Sequence, residues 1–392
     1  MTGTSITAGM PRVPGTILAL VVVAAAMWTA LGSLVVESAR RHDFLNLYTG
    51  GKLALEGRFA DMHVPEVQLE YERRLVPDVT PVVPFVRPHF YSLFLAPLAL
   101  FEYRFAFWLW IGFQTLALLG CQIWGLRRFG PEGLAMAALF LPTALGIAHG
   151  QDCVLMLAVS IGAYSLMSAG KPFAGGAVLA LGFAKFHLFL LWPVALVVTR
   201  RWRMLAGLAA GAAAETAISL ALGGWTGVER YVAFLRKKDL ERLSPSPELM
   251  VNAQGIAANL FGESVWAVAG LSLAALALWA WAIRGAPPWR LWTATTLAGL
   301  LIAPHVYGYD AALVLLPIWL TVQSGSKPAR IAATLASTPI PYLMNLADSP
   351  WCALAALTLF GFSAAVALSV RRNKTGECGD TPREPNVDRR SD

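Results

Sequence analysis

In the stretch ARRHDFLNLYTGGKLALEG (39–57) a carboxylate, a tyrosine, two glycines and a lysine follow directly on a long apolar run. Two jobs fit Asp43: capping the helix that begins there, a common use of Asp, or presenting its carboxylate to a substrate. Other reactive side chains sit in equally apolar surroundings. Lys185 lies inside AKFHLFLL, where an unpaired ammonium is costly, so it is either functional or paired with Glu215, Asp152 or Asp310. HGQD (149–152) sets His149 and Asp152 at i, i+3, which gives two metal ligands without a third, and Gln151 reads better as a hydrogen-bond partner for a substrate. Arg87 and His89 in VRPHF, and His305, Tyr309 and Asp310 in APHVYGYD, complete the set. The four cysteines are scattered, with no CxxC pair, and indicate neither a zinc site nor a disulfide framework.

The elements that must position these groups are apolar. Of the 392 residues 56% are hydrophobic and only 14% charged, with a mean hydropathy of +0.56, which excludes an ordinary soluble domain. The pattern predicts an all-α polytopic membrane protein. Residues 15–36 are long enough to span a hydrocarbon core and too long for a cleaved signal. Further apolar runs fall at 88–101, 105–126, 133–148, 154–168, 174–198, 204–222, 265–283, 291–303, 309–322, 331–346 and 351–370, about twelve crossings in all.

Basic clusters at 200–203, Arg284 with Arg290, Lys327 with Arg330, and 371–374 recur at every second loop, as expected of cytoplasmic loops. The formal charge of +7 therefore speaks of membrane orientation and not of nucleic acid. The loops 37–87, 223–264, 304–310 and 345–351 then face outward. Residues 1–370 form a single transmembrane domain, and 371–392 a polar, disordered cytoplasmic tail. Strict alternation has one fault: it puts Arg127 and Arg128 outside and 150–152 inside. A re-entrant or half-crossing segment between 88 and 198 restores the parity.

After Asp43 the chain reads as helix. Phe44, Leu47, Tyr48, Gly51 and Leu55 form an apolar stripe suited to lying in the membrane interface, with Asp43, Asn46 and Gly50 on another face. Residues 230–243 are basic and amphipathic, and fit either an interfacial helix on anionic headgroups or a solvated charged face.

DFLNLYTGGKLALEGRFADMH, then RPHFYSLFLAPLALF, then GQD, then AGGAVLALGFAKFHLFLLWPVALVVTRRWR, and late PHVYGYD, together resemble the DUF2029 or family 87 glycosyltransferases. These are polyprenol-phosphate-mannose-dependent enzymes of the GT-C fold. The blocks occur in the family's order across roughly 40–320. This chain departs from the pattern in having VRPHF for a Tyr-Pro-Pro block and His187 for a proline after the lysine.

The resemblance implies transfer of a sugar, mannose or another hexose or pentose, from a polyprenyl phosphate to an acceptor hydroxyl of a lipid or glycan. Transfer would occur with inversion on the outer face of the cytoplasmic membrane. The hydroxyl loses a proton as its bond forms, so a carboxylate base is needed; the family's early Asp maps onto Asp43. The departing lipid phosphate gains charge that a cation must meet. His305 matches the family's late histidine, followed by Arg87, His89 and Lys185. A monophosphate leaving group needs no metal, so neither a metal nor a cofactor is expected. Asn46, Tyr48, Gln151, Asn252, Gln254, Tyr309 and Asp310 are the expected contacts to sugar or acceptor, although loop capping is an alternative for Asn252 and Gln254.

The rival function is a secondary transporter or lipid flippase, since Lys185, Glu215 and Asp310 could serve an ion path. Against it, no inverted repeat is evident, and the polar residues gather at the outer ends of helices. A non-catalytic lipid-binding scaffold is the second rival. Oligomeric state is not readable.

Overall fold

A computed structural model of the protein describes residues 13–41, 43–80, 82–236, 246–262, 264–324 and 326–370. The tail 371–392 and residues 237–245 of the basic amphipathic segment lie outside them. Among the described residues all regular structure is helical, apart from one backbone bridge between Met250 and Tyr307. The helices are α1 Gly15–Arg41, α2 Asp43–Leu55, α3 Pro65–Leu75, α4 His89–Leu95, α5 Tyr103–Leu139, α6 Leu141–Ala148, α7 Cys153–Ser168, α8 Pro172–Ala180, α9 Leu191–Val198, α10 Trp202–Arg236, α11 Ala253–Phe261, α12 Val265–Ala282, α13 Pro288–Ile302, α14 Leu315–Val322, α15 Lys327–Ser337, α16 Ile340–Leu343 and α17 Leu354–Leu368.

Among the described residues four segments are long and apolar enough to cross a membrane: Tyr103–Leu139, Trp202–Arg236, Val265–Ala282 and Trp351–Leu368. Several other apolar runs, expected as full crossings, form shorter helices, among them His89–Leu100, Cys153–Ser168, Pro172–Leu188 and Asp310–Val322. Local chemistry sets the breaks. Glu102 starts α5 by accepting the Arg104 and Phe105 N–H groups. Gly130, at φ 74°, with Pro131 after it, bends α5 sharply.

Two ends of the molecule can be told apart. At one, α2 meets Asp43's partners, and the 223–264 region is tied to the late loops by Val251 N–H to Val306 O (2.8 Å), Asn345 Nδ2 to Leu249 O (3.1 Å) and Ser349 Oγ to Asn259 O (3.2 Å). At the other, Gln323 donates to Arg128 O, Arg201 approaches Met167 Sδ, and Arg290 donates to Arg284 O. A layer of touching rings, Trp124, Tyr164, Trp292 and Trp192, runs across the fold near this basic end. Exposed Trp225, Trp266 and Trp351 lie toward the first end and Trp202 and Trp281 toward the second, the two-belt arrangement of indoles at membrane interfaces.

Two of the expected crossings fold back within the structure. Run 88–101 begins beside Arg87, near Asp152, and finishes with Phe101 O accepting from Tyr48 Oη at 2.8 Å. Both its ends lie at the Asp43 end, so within the fold it does not run from one end to the other as a full crossing would. Run 174–198 is in turn a hairpin. It leaves the basic end where Gly176 and Gly207 press against the backbones of Met204 and Phe173, brings Lys185 to Asp310, and returns to Arg201. Arg127 and Arg128 consequently share the basic end with Lys327, while 150–152 share the Asp43 end.

Helix α2 is not the interfacial helix its stripe suggested. Nine of its thirteen residues are buried, including Leu45, Thr49 and Leu53 outside the stripe. Its glycines explain why. A methyl on Gly50 would lie 2.5 Å from the Phe85 ring and one on Gly51 2.7 Å from Leu95 O, so the Gly-Gly pair lets the segment 85–95 close over the helix. Behind that segment, buried Gln68 donates to Met62 O and accepts from Phe85 N–H, and Glu72 accepts from Val83 N–H.

Candidate active site

The first turn of α2 and the α6–α7 junction meet at Asp43. His149 Nδ1 lies 2.9 Å from Asp43 Oδ2, and Gln151 Nε2 donates to Oδ1 at 2.8 Å. Gly150, between the two donors, has φ 66°, and Trp110 Nε1 donates to its carbonyl at 2.7 Å. The positive φ turns residues 149 and 151 toward one carboxylate. Asp43 and His149 remain about a quarter exposed (24% and 27%), so the carboxylate can still be reached.

Next to this clamp is a buried charge cluster. Arg87 makes a bidentate pair with Asp152, Nε to Oδ2 and Nη2 to Oδ1, both 2.9 Å. Lys185 pairs with Asp310, sits 3.5 Å from Asp152 and donates to Cys153 Sγ at 3.1 Å. The second Asp310 oxygen accepts from Tyr307 N–H at 2.9 Å. All four charged side chains are at most 7% exposed. Two cations meet two carboxylates, so the cluster is neutral, the condition under which charge survives burial. Segment 85–95, α7, the 174–198 hairpin and the late loop are joined through it.

Aromatic rings connect the cluster to the clamp. His187 to His305 (6.3 Å between centroids), His305 to Tyr307 (4.8 Å), Tyr307 to Tyr309 (5.8 Å) and Tyr309 to His149 (5.5 Å) form an unbroken arc. Lys185 Nζ stands 5.4 Å from the centre of the Tyr309 ring. Burial pushes the His305 imidazole below its usual range, opposed by Asp310 and helped by Lys185 and Arg87.

The structure thus brings Asp43, Gln151, Arg87, Lys185, His305, Tyr309 and Asp310 together. Lys185 has the ion-paired setting, with Asp310 and Asp152, and Glu215 is not its partner. His89 is elsewhere: it is buried against His63 and Tyr231, with Gly223 and Gly227 beneath its ring. Tyr48 spends its hydroxyl on Phe101 O. Asn252 caps α11 by accepting from Gly255 N–H and donates to Ala303 O; Gln254 follows it on the same helix, and Asn46 lies on the half-buried side of α2. His149 and Asp152 do not converge on a common point, since one addresses Asp43 and the other Arg87.

Sequence reasoning singled out neither His149 as Asp43's partner nor His187 and Tyr307 as members of the arc. The signal for His149 was present, a histidine two residues from Gln151 across a glycine. Nothing local in the sequence marks Tyr307, and His187 stood out only as a departure from the family's proline after the lysine.

An all-helical fold with membrane-length helices and a polar site at one end defines a class of integral membrane protein with a reactive face. The family model of glycosyltransferase family 87 matches residues 85–317, more than half of the chain, and the protein belongs to that family of membrane glycosyltransferases. The matched range contains Arg87, Gln151, Lys185 and His305; Asp43 precedes it. No curated protein and no solved structure matches the chain.

Proposed function

We propose that the protein transfers a sugar from a polyprenyl-phosphate donor to a hydroxyl of a lipid or glycan acceptor, with inversion, on the outer face of the cytoplasmic membrane. The observation that carries this reading is the arc: a reachable carboxylate at one end, imidazoles beside a charge cluster at the other, and rings between. Asp43 accepts the acceptor's proton as the hydroxyl attacks the anomeric carbon. The bond from that carbon to the phosphate oxygen breaks with its electron pair on the phosphate, whose new charge His305 meets. Tyr309 and Tyr307 offer ring faces and hydroxyls to a sugar lying against the arc. Gln151 and His149 fix the carboxylate.

The buried pairing of Lys185 and Arg87 gives them the task of setting the shape and potential of the site. A single phosphate leaves without needing a bridging divalent ion, so the donor is a substrate and no cofactor is required. Read with segment 88–101 as a half-crossing and 174–198 as a hairpin, the positive-inside rule supports a cytoplasmic basic end and an outward-facing Asp43. A flippase or transporter would use Lys185 and Asp310 as a moving ion path, whereas here they are locked in a neutral cluster. The test is incubation of purified protein with radiolabelled polyprenyl phosphate sugars and identification of the labelled product. Failure to transfer from any of them overturns the donor assignment.

A further inference from the structure

His187 is half-buried in the 174–198 hairpin two residues after Lys185, and its Nε2 is a buried nitrogen without a hydrogen-bond partner. Leaving such a group unmatched costs free energy. Its ring stands edge-on to His305 at 6.3 Å, at the end of the arc away from Asp43. The charged and titratable groups that face it are Asp310, Lys185, Arg87 and His305. Three of these cannot supply fresh positive charge. Arg87 and Lys185 are matched by Asp152 and Asp310, and the latter is itself an anion.

The proposed reaction makes a demand here. The donor phosphate is a diester with one negative charge; when the sugar leaves, it becomes a monoester that carries up to two. A neutral cluster offers no spare cation for the second charge. Imidazole differs from guanidinium and ammonium in that it can take up a proton near neutral pH.

Resting on the donor reading above, we infer that His187 is a second phosphate contact beside His305, and that the pair takes up a proton when the lipid monophosphate is bound. No bond is made or broken in this step: a solvent proton moves to imidazole nitrogen, and the resulting N–H donates to a phosphate oxygen. The hydroxyl proton removed by Asp43 is separate. The uptake holds the leaving group's charge at the moment it forms and makes product binding dependent on pH.

The probe is a short-chain prenyl phosphate, with the uncharged prenol as control, titrated into purified wild-type protein in detergent at several pH values. Wild type is expected to prefer the phosphate, with affinity falling as pH rises, and calorimetry in buffers of different ionisation enthalpy should register proton uptake. His187→Gln should weaken phosphate binding about tenfold, the scale of one hydrogen bond to a charged group, flatten the pH dependence and leave prenol binding unchanged. His187→Asn is the second variant. The wild-type proton count decides the matter by itself if both variants fold poorly. If wild type does not distinguish phosphate from prenol, the donor reading falls. If it does distinguish them but binds without proton uptake, or if His187→Gln matches wild type in affinity and pH dependence, the His187 inference falls and the donor reading stands.

Discussion

His149 Nδ1 lies 2.9 Å from Asp43 Oδ2, across 106 residues of chain. The nitrogen carries the proton in that contact, because an ionised carboxylate only accepts. Asp43 is therefore held from outside its own helix, on both oxygens, and its orientation is set by the turn at Gly150.

The first prediction follows from the role of Asp43. Asp43→Asn preserves size and removes basicity, so turnover should fall by at least about 10²-fold, the usual scale for a lost general base. Donor affinity should stay near the wild-type value. Undiminished transfer by the purified variant with a defined donor would leave Asp43 a purely structural residue.

His305→Ala should show a different signature. Losing a charge-assisted hydrogen bond to phosphate costs about 1.5–3 kcal/mol, and donor affinity should drop together with turnover. Equilibrium binding of the donor, measured apart from turnover, separates this from the Asp43 variant.

The neutral cluster predicts compensation. Lys185→Met leaves Asp310 with no ammonium in a buried site, a change that costs about 3–5 kcal/mol. Adding Asp310→Asn should restore much of the thermal stability in detergent, because the orphaned charge is then gone too. Equal or greater loss in the double variant would contradict the pairing.

Segment 59–87 should respond to pH through Glu72, which is fully buried, with one carboxylate oxygen accepting from Val83 N–H and the other unpartnered. Burial pushes its carboxyl up to about 7. A folded-state value above the ordinary one means that the folded protein holds the proton more tightly. The stabilisation is then complete below the ordinary carboxyl range and is lost as pH climbs through about 7. Melting curves of wild type and Glu72→Gln should diverge as pH rises from the ordinary carboxyl range to about 7 and keep a constant gap above it, with wild type the lower; curves parallel throughout would show that the group stays protonated or is solvated.

Topology supplies the last prediction. A cysteine at Arg128 should behave like one at Arg203 and be shielded from an impermeant thiol reagent added outside. One at Asp348 should react. Labelling at both Arg128 and Asp348 would separate Arg128 from the basic end that its bond to Gln323 assigns.

Much of this was legible from composition and spacing. The apolar runs gave an all-helical membrane protein, and the early Asp, GQ, Lys and late His blocks gave the family. The interfacial reading of α2 failed because a stripe of Phe44, Leu47, Tyr48 and Leu55 describes one face only. What buries the other face is segment 85–95, whose approach depends on Gly50 and Gly51. The path of 88–101 was hidden for a related reason: hydropathy registers that the run is apolar, but not that Phe101 turns back to Tyr48. Pairings such as Arg87 with Asp152 join residues 65 positions apart, and no local pattern encodes them.

The reach of those pairings also dictates an order of assembly. Asp43 is made early, yet its partners arrive 106 and 108 residues later, and Lys185 waits a further 125 for Asp310. Until then Asp152 has two cations competing for it. A nascent chain halted before residue 310 thus lacks the carboxylate that matches Lys185 in the finished fold.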